Sequence, residues 1–160
     1  MLEAFILTVI TAATPLMLAA LGELVVERSG VLNLGVEGMM VMGAVAGFAV
    51  TISTGSPWLG VLAGAAAGLL TSLLFAVVTL TLVANQVASG LALTMFGLGL
   101  SGLIGESFVG QPGIKLQSLD VPGLTSLPFV GKILFGQDVL VYLSFAAVFA
   151  LRASGSPLWK

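Results

Sequence analysis

The sequence predicts an all-α protein, a polytopic transmembrane helical bundle of about five spans, and two observations lead to this fold class. Of the 160 residues, 58% are hydrophobic and only 8% are charged, with a mean hydropathy of +1.18. A soluble domain carries roughly a quarter of its residues as Asp, Glu, Lys and Arg, because its surface must be hydrated. In addition, residues 38–105 contain no charged side chain at all. The chain is therefore expected to fold in a lipid bilayer.

Five apolar stretches are long enough, or nearly so, to cross the membrane. A spanning helix needs about 20 mostly apolar residues. Pro15 lies inside the first stretch, where we expect a kink. Together the stretches predict one transmembrane domain over residues 1–160. The predicted spans are residues 4–21, 39–52, 58–83, 87–104 and 138–151.

Residues 106–137 differ from the rest in being rich in proline, glycine and charge, which predicts a loop outside the hydrocarbon. Basic side chains are in excess in cytoplasmic loops. With five spans, one side of the membrane collects Arg28, Arg152 and Lys160, and the other collects Lys115 and Lys132. The side with three basic residues is therefore expected to be cytoplasmic, and the 106–137 loop, on the side with two, extracytoplasmic.

Glycines at four-residue spacing predict close helix packing. Small residues at this spacing let helix backbones approach each other in lipid. A tightly packed bundle is the expected reason, and a face specific for another subunit is the alternative. The glycines are Gly43 and Gly47 in the second span and Gly60, Gly64 and Gly68 in the third.

Composition excludes several classes of function. The chain has no cysteine and no histidine, so no thiol redox centre, ordinary zinc site or Ser-His nucleophile can form. With a net charge of −2 and no basic run, binding to nucleic acid is not expected. We expect no catalytic residue, no metal site and no cofactor in this chain, and an enzyme is a distant alternative.

The most polar stretch of the N-terminal half is residues 22–38. Glu23 and Glu27 are four residues apart, so they share a helical face, and Arg28 is a possible counter-ion. These three residues are predicted to form a structural ion-pair group. An interfacial loop with hydrated charges is the alternative for the two glutamates.

The second part of this stretch predicts a helix interrupted at membrane depth. Ser29-Gly30 is expected to break the first helix, Asn33 to cap the next one, and Glu37 to lie in its first turn. Transporters use such interruptions to present polar groups to a solute. We therefore predict that Asn33 and Glu37 line a solute path.

This stretch, LGELVVERSGVLNLGVEGMM at residues 21–40, resembles permease subunits of ABC importers. The similarity is to the branched-chain amino-acid/simple-sugar permease family, and within it to the nucleoside and simple-sugar type. ANQVASGLAL at residues 84–93 looks like a second signature of that group, which adds Asn85 and Gln86 to the predicted path. The resemblance extends over almost the whole chain, but the chain corresponds only to the N-terminal half of such a permease.

The resemblance implies a multi-pass subunit of a bacterial cytoplasmic membrane importer for a nucleoside or simple sugar. The implied partners are ATP-binding cassette ATPase subunits, which hydrolyse ATP, a second permease subunit, an extracytoplasmic solute-binding protein and the lipid bilayer. Residues 152–160 look like a truncated or frameshifted tail. A transport-inactive structural membrane protein or assembly fragment is therefore the alternative.

Overall fold

The computed structural model of the protein describes residues 2–119 and 135–153, and its regular elements there are helices. This confirms the predicted all-α class with about five helices. A π-helical turn, Val77–Thr81, follows the third helix, and a short 3-10 helix, Glu106–Phe108, follows the fourth. The helices are α1 (Leu2–Arg28), α2 (Val36–Thr54), α3 (Pro57–Ala76), α4 (Gln86–Gly105) and α5 (Val139–Ala153).

Four of the helical stretches are long and apolar enough to cross a membrane. They contain 19 to 25 residues each, which at 1.5 Å per residue is close to the ~30 Å hydrocarbon thickness. The shorter apolar helix α5 has 15 residues. The predicted spans thus agree with the helices to within a few residues, except at the end of the first.

Helix α1 continues for seven residues beyond the predicted end of the first span, as far as Arg28. The prediction of an end at residue 21 was wrong because charge was taken as the mark of the boundary. Glu, Leu and Arg are good helix formers, so the polar residues extend the helix. Pro15 lies inside α1 and does not end it. The predicted break at Ser29-Gly30 is observed, and Gly30 has a φ of +85°.

Contacts divide the chain into two compact units. One unit joins α1 with the part of the chain that follows Leu116, and the other is Ser29–Lys115. In the first unit α1 contacts α5, where Val141 and Ser144 are buried. The chain enters α5 from a short bridge in which the Leu119 amide donates to the Gln137 carbonyl at 3.0 Å. The prediction of one transmembrane domain stays a prediction.

The second unit is built around α2, which packs against both α3 and α4. Helices α2 and α3 run antiparallel, because Gly43 lies opposite Gly64 and Gly47 opposite Gly60. A Cβ atom on Gly47 would lie 3.0 Å from the Gly60 carbonyl oxygen, so the backbones are nearly in contact. A Cβ atom on Gly68 would meet nothing within 4 Å among the described residues, so this glycine does not belong to the contact.

The end of α3 is irregular. In the π-helical turn the amide of Leu82 donates to the carbonyl of Val77 at 3.0 Å, and the amide of Ala84 donates to that of Val78 at 3.1 Å. Val83 then has a φ of +52°, a conformation that is strained for a β-branched residue. The connection ends at Asn85, from which α4 starts.

The structure describes the beginning and the end of the predicted 106–137 loop. Phe108 packs edge-on against Phe48 of α2, with ring centroids 6.3 Å apart. The first residues of the loop are therefore packed against α2. Lys132 and Lys160 lie outside the described residues. The extracytoplasmic location of the loop stays a prediction.

Candidate solute path

The candidate site is the interruption between α1 and α2, residues 29–35, together with the start of α4. These residues lie outside α1 and α2, so the backbone groups that the helices do not satisfy need other partners. Contacts between α2 and α4 run in the same order along both helices: Gly35 meets Gly90, Gly38 meets Gly97, and Gly105 meets Val45. The two helices are therefore parallel, and their N-terminal ends lie side by side.

Side chains of α4 hold the interrupted segment. The Leu32 amide donates a hydrogen bond to the Gln86 side-chain oxygen Oε1 at 2.8 Å. Two turns further along α4, the Thr94 hydroxyl donates to the Leu34 carbonyl oxygen at 3.0 Å. The predicted path residue Gln86 thus satisfies one of the backbone groups that the interruption exposes.

Asn33 is buried, with 7% of its surface exposed, and it folds back on its own segment. Its Oδ1 accepts from the Gly35 amide at 2.9 Å, and its Nδ2 lies 3.7 Å from the sulfur of Met39. The prediction that Asn33 caps α2 was wrong. The helix begins only at Val36, and Gly35 occupies the N-cap without a side-chain hydrogen bond. Asn33 stabilises an Asx-type turn instead, as asparagine often does in loops.

Three glycines bring the segment and α2 into backbone contact with α4. A Cβ atom on Gly90 would lie 2.8 Å from the Leu34 nitrogen. On Gly38 it would lie 2.7 Å from the Leu93 carbonyl oxygen, and on Gly97 2.7 Å from the Gly38 carbonyl oxygen. This contact was not predicted from the sequence, although Gly90 and Gly97 are seven residues apart, which is two helical turns and places them on one face of α4.

Glu37 lies in the first turn of α2, as predicted from its position after the break, and its side chain is exposed. Asn85 is the N-cap of α4, and its Oδ1 accepts from the Ala88 amide at 3.0 Å. The N-terminal ends of two parallel helices, each with the partial positive charge of its dipole, lie side by side here. The arrangement offers an acidic acceptor, amide side chains and backbone donors to a polar solute.

The predicted ion-pair group lies on the last turns of α1, in the other unit. Glu23 is half-buried, whereas Glu27 and Arg28 are exposed. Arg28 occupies the last turn, where a cation is favoured by the helix dipole. An ion-pair role for these residues stays a prediction. Residues 2–119 and 135–153 contain no cluster of three or more Asp, Glu, His or Cys side chains that could hold a metal ion.

A cavity of about 490 Å³ adjoins Asn85, between the C-terminal part of α3 and the N-terminal half of α4. Its lining is almost entirely apolar, with Asn85 and Ser89 as the polar side chains. The lining residues are Leu74, Phe75, Val78, Ala84, Asn85, Ala88, Ser89, Ala92, Leu93 and Phe96.

Comparison with known proteins gives a consistent result. Residues 5–158 match the family described as branched-chain amino acid transport system / permease component. The chain is 44% identical over 143 residues to a protein of Haloferax volcanii that is provisionally named a glucose ABC transporter permease, TsgC13. It is 36% identical over 162 residues to the guanosine ABC transporter permease NupQ of Bacillus subtilis. It is 32% identical over 149 residues to the nucleoside ABC transporter permease NupC of Lactococcus lactis.

The similarity covers unequal shares of this chain and of its relatives. It includes 87–89% of this chain but only 44–49% of each relative, so the chain spans about half the length of the curated relatives it matches. No solved structure matches the chain. The apolar helices and the permease relatives together indicate a multi-pass membrane protein.

Proposed function

Because the chain belongs to the family of permease components of branched-chain amino acid transport systems, we propose that it forms part of the translocation path of an ABC importer. The solute is a small polar molecule, a nucleoside or a simple sugar. Relatives named for glucose, guanosine and nucleoside transport support this substrate class.

In this proposal the chain does not hydrolyse ATP. ATPase subunits on the cytoplasmic side supply the energy, a second permease subunit completes the path, and an extracytoplasmic binding protein delivers the solute. The assembly lies in the cytoplasmic membrane. Alternating access requires that ATP and solute each bind one state of the path better than the other, since otherwise no coupling exists.

The observation that carries the proposal is the interrupted segment 29–35, held against the start of α4. Discontinuous helices in transporters place helix N-termini and unwound backbone at the solute. Glu37 is exposed at this point, and Asn85 and Gln86 begin the neighbouring helix. Asn33 is buried and engaged with Gly35, so its contribution is to fix the shape of the segment.

The experiment replaces the matching part of the guanosine permease of B. subtilis with residues 1–150 of this chain. Guanosine uptake is measured in a strain that lacks its own guanosine permease. We expect Glu37→Gln to reduce uptake at least tenfold without lowering the amount of chimera in the membrane. Glu106→Gln is the matched control, because Glu106 is an exposed glutamate at the other end of α4.

Two results would contradict the proposal. Normal uptake by Glu37→Gln would remove this residue from the path. Absence of guanosine and glucose uptake by the unmodified, membrane-inserted chimera would favour the second candidate, a membrane protein without transport of its own.

A further inference from the structure

Thr94 of α4 uses its hydroxyl differently from other threonines of the second unit. Four of those donate to the carbonyl oxygen four residues earlier in the chain: Thr51, Thr54, Thr71 and Thr79. The residue four positions before Thr94 is Gly90, but the Thr94 hydroxyl donates instead to the Leu34 carbonyl oxygen at 3.0 Å. It therefore joins α4 to a segment that lies 60 positions away in the sequence.

The peptide group between Leu34 and Gly35 is held at both of its polar atoms. Its carbonyl oxygen accepts from Thr94, and its amide donates to the Asn33 Oδ1 at 2.9 Å. It also lies against the backbone of α4, because a Cβ atom on Gly90 would be 3.0 Å from the Gly35 nitrogen and 3.1 Å from the Leu34 carbonyl carbon. A rotation of this peptide group would break both hydrogen bonds.

One face of α4 holds the interrupted segment at three successive turns. Gln86, Gly90 and Thr94 follow each other at four-residue spacing, which places them in one row along the helix. Gln86 accepts from the Leu32 amide at 2.8 Å, Gly90 meets the peptide group, and Thr94 donates to the carbonyl oxygen of that group. The row therefore combines an acceptor, bare backbone and a donor, each of which meets a backbone group of the segment.

The held peptide group immediately precedes the first hydrogen bond of α2. The next carbonyl oxygen along the chain, that of Gly35, accepts from the Met39 amide at 3.0 Å. Glu37 is two residues beyond Gly35, and its side chain is exposed. The orientation of the peptide group therefore sets the direction in which the chain enters the helix that carries Glu37.

We propose that Thr94 is a positioning residue of the solute path. Its hydroxyl fixes the Leu34–Gly35 peptide group, and through that group the backbone of the interruption and the direction in which α2 presents Glu37. Thr94 acts through this peptide group and not by contact with the solute. The inference rests on the proposed function, because that function defines the path.

Amide hydrogen exchange at Gly35, measured by NMR on the chain in nanodiscs, reports how firmly Thr94 holds the peptide group. Thr94→Val removes the hydroxyl and keeps the branched shape, whereas Thr94→Ser keeps the hydroxyl. We expect exchange to be about fivefold faster in Thr94→Val, the change in the opening equilibrium that loss of one hydrogen bond produces, and near its original rate in Thr94→Ser. Thr71→Val is the matched control, because its hydroxyl bonds within α3, and it should leave exchange at Gly35 unchanged.

Uptake by the chimera described above tests the role of Thr94 in transport. At saturating guanosine, and for equal amounts of chimera in the membrane, we expect Thr94→Val to lower uptake at least threefold. Thr94→Ser and Thr71→Val should keep at least half of it. A threonine with only a structural role would change the amount of inserted chimera and not the uptake per molecule.

Three results would overturn the inference: unchanged exchange at Gly35 in Thr94→Val, equal effects of Thr94→Val and Thr71→Val, or normal uptake by Thr94→Val. The last result would leave the proposed function standing. Absence of uptake by the unmodified chimera would refute the proposed function, and with it the role of Thr94 in transport. Exchange at Gly35 would then still decide whether Thr94 holds the peptide group.

Discussion

The contact between α2 and α4 should be sensitive to a single methyl group at Gly97. A Cβ atom there would lie 2.7 Å from the carbonyl oxygen and 2.8 Å from the Cα atom of Gly38, both of them backbone atoms. Ordinary contact begins at 3.4 Å, so the helices would have to separate by roughly 0.7 Å, the difference between 3.4 and 2.7 Å. Overpacking of this kind costs about 1–3 kcal/mol.

Gly102 provides the matched control, because it lies on the same helix and a Cβ atom there would meet no described residue within 4 Å. Gly→Ala raises helix propensity at both positions, by up to about 1 kcal/mol. The difference between Gly97→Ala and Gly102→Ala therefore isolates the packing cost. We expect Gly97→Ala to be the less stable by about 1–3 kcal/mol.

The assay is reversible unfolding of the detergent-solubilised chain by increasing mole fractions of sodium dodecyl sulfate, followed by circular dichroism. Equal unfolding midpoints for the two variants would refute the close backbone contact between α2 and α4. A lower midpoint for Gly102→Ala than for Gly97→Ala would refute it more strongly.

Three further predictions test other parts of the second unit. Asn85→Ala should weaken the start of α4 by about 1 kcal/mol, and Asn85→Asp should retain most of the cap, as judged by amide hydrogen exchange at Ala88 in nanodiscs. Gln86→Ala should increase hydrogen exchange at the Leu32 amide at least tenfold, because that amide loses its acceptor, and unchanged exchange would exclude the contact. Val83→Gly should raise stability by up to about 1 kcal/mol, since glycine adopts a positive φ without strain, and a destabilised variant would contradict the backbone conformation of the α3–α4 connection.

Much of the fold can be predicted from the sequence, because a chain in lipid must form its backbone hydrogen bonds within its own helices. The uncharged run of residues 38–105 must satisfy its backbone internally, and the breaks at Gly55 and Asn85 divide it into helices. The end of α1 was mispredicted because charge and helix propensity point in opposite directions at Glu23 and Glu27. The helix continues through both glutamates to Arg28, as their helix propensity favours.

The candidate site was less predictable, because its geometry depends on contacts between residues more than 50 positions apart. The residue types at Asn33 and Gln86 indicated polar function, but not that one folds onto its own turn and the other binds the Leu32 amide. The Gly38–Gly97 contact needs the parallel pairing of α2 with α4, which no local pattern contains. The spacing of Gly43, Gly47, Gly60 and Gly64, in contrast, marks residues that lie at the α2–α3 contact.

The most direct test of the account is the accessibility of Glu37 to water within the membrane. The natural chain contains no cysteine, so a single introduced thiol is the only one that reacts. Glu37→Cys and, as the control, Leu69→Cys, at an exposed apolar position of α3, are treated in membrane vesicles with a membrane-impermeant maleimide. The account predicts that the thiol at position 37 reacts at least tenfold faster than the thiol at position 69, because it proposes that position 37 lines an aqueous path and that position 69 faces lipid. Equal rates at the two positions, or no reaction at position 37 from either side of the membrane, would contradict it.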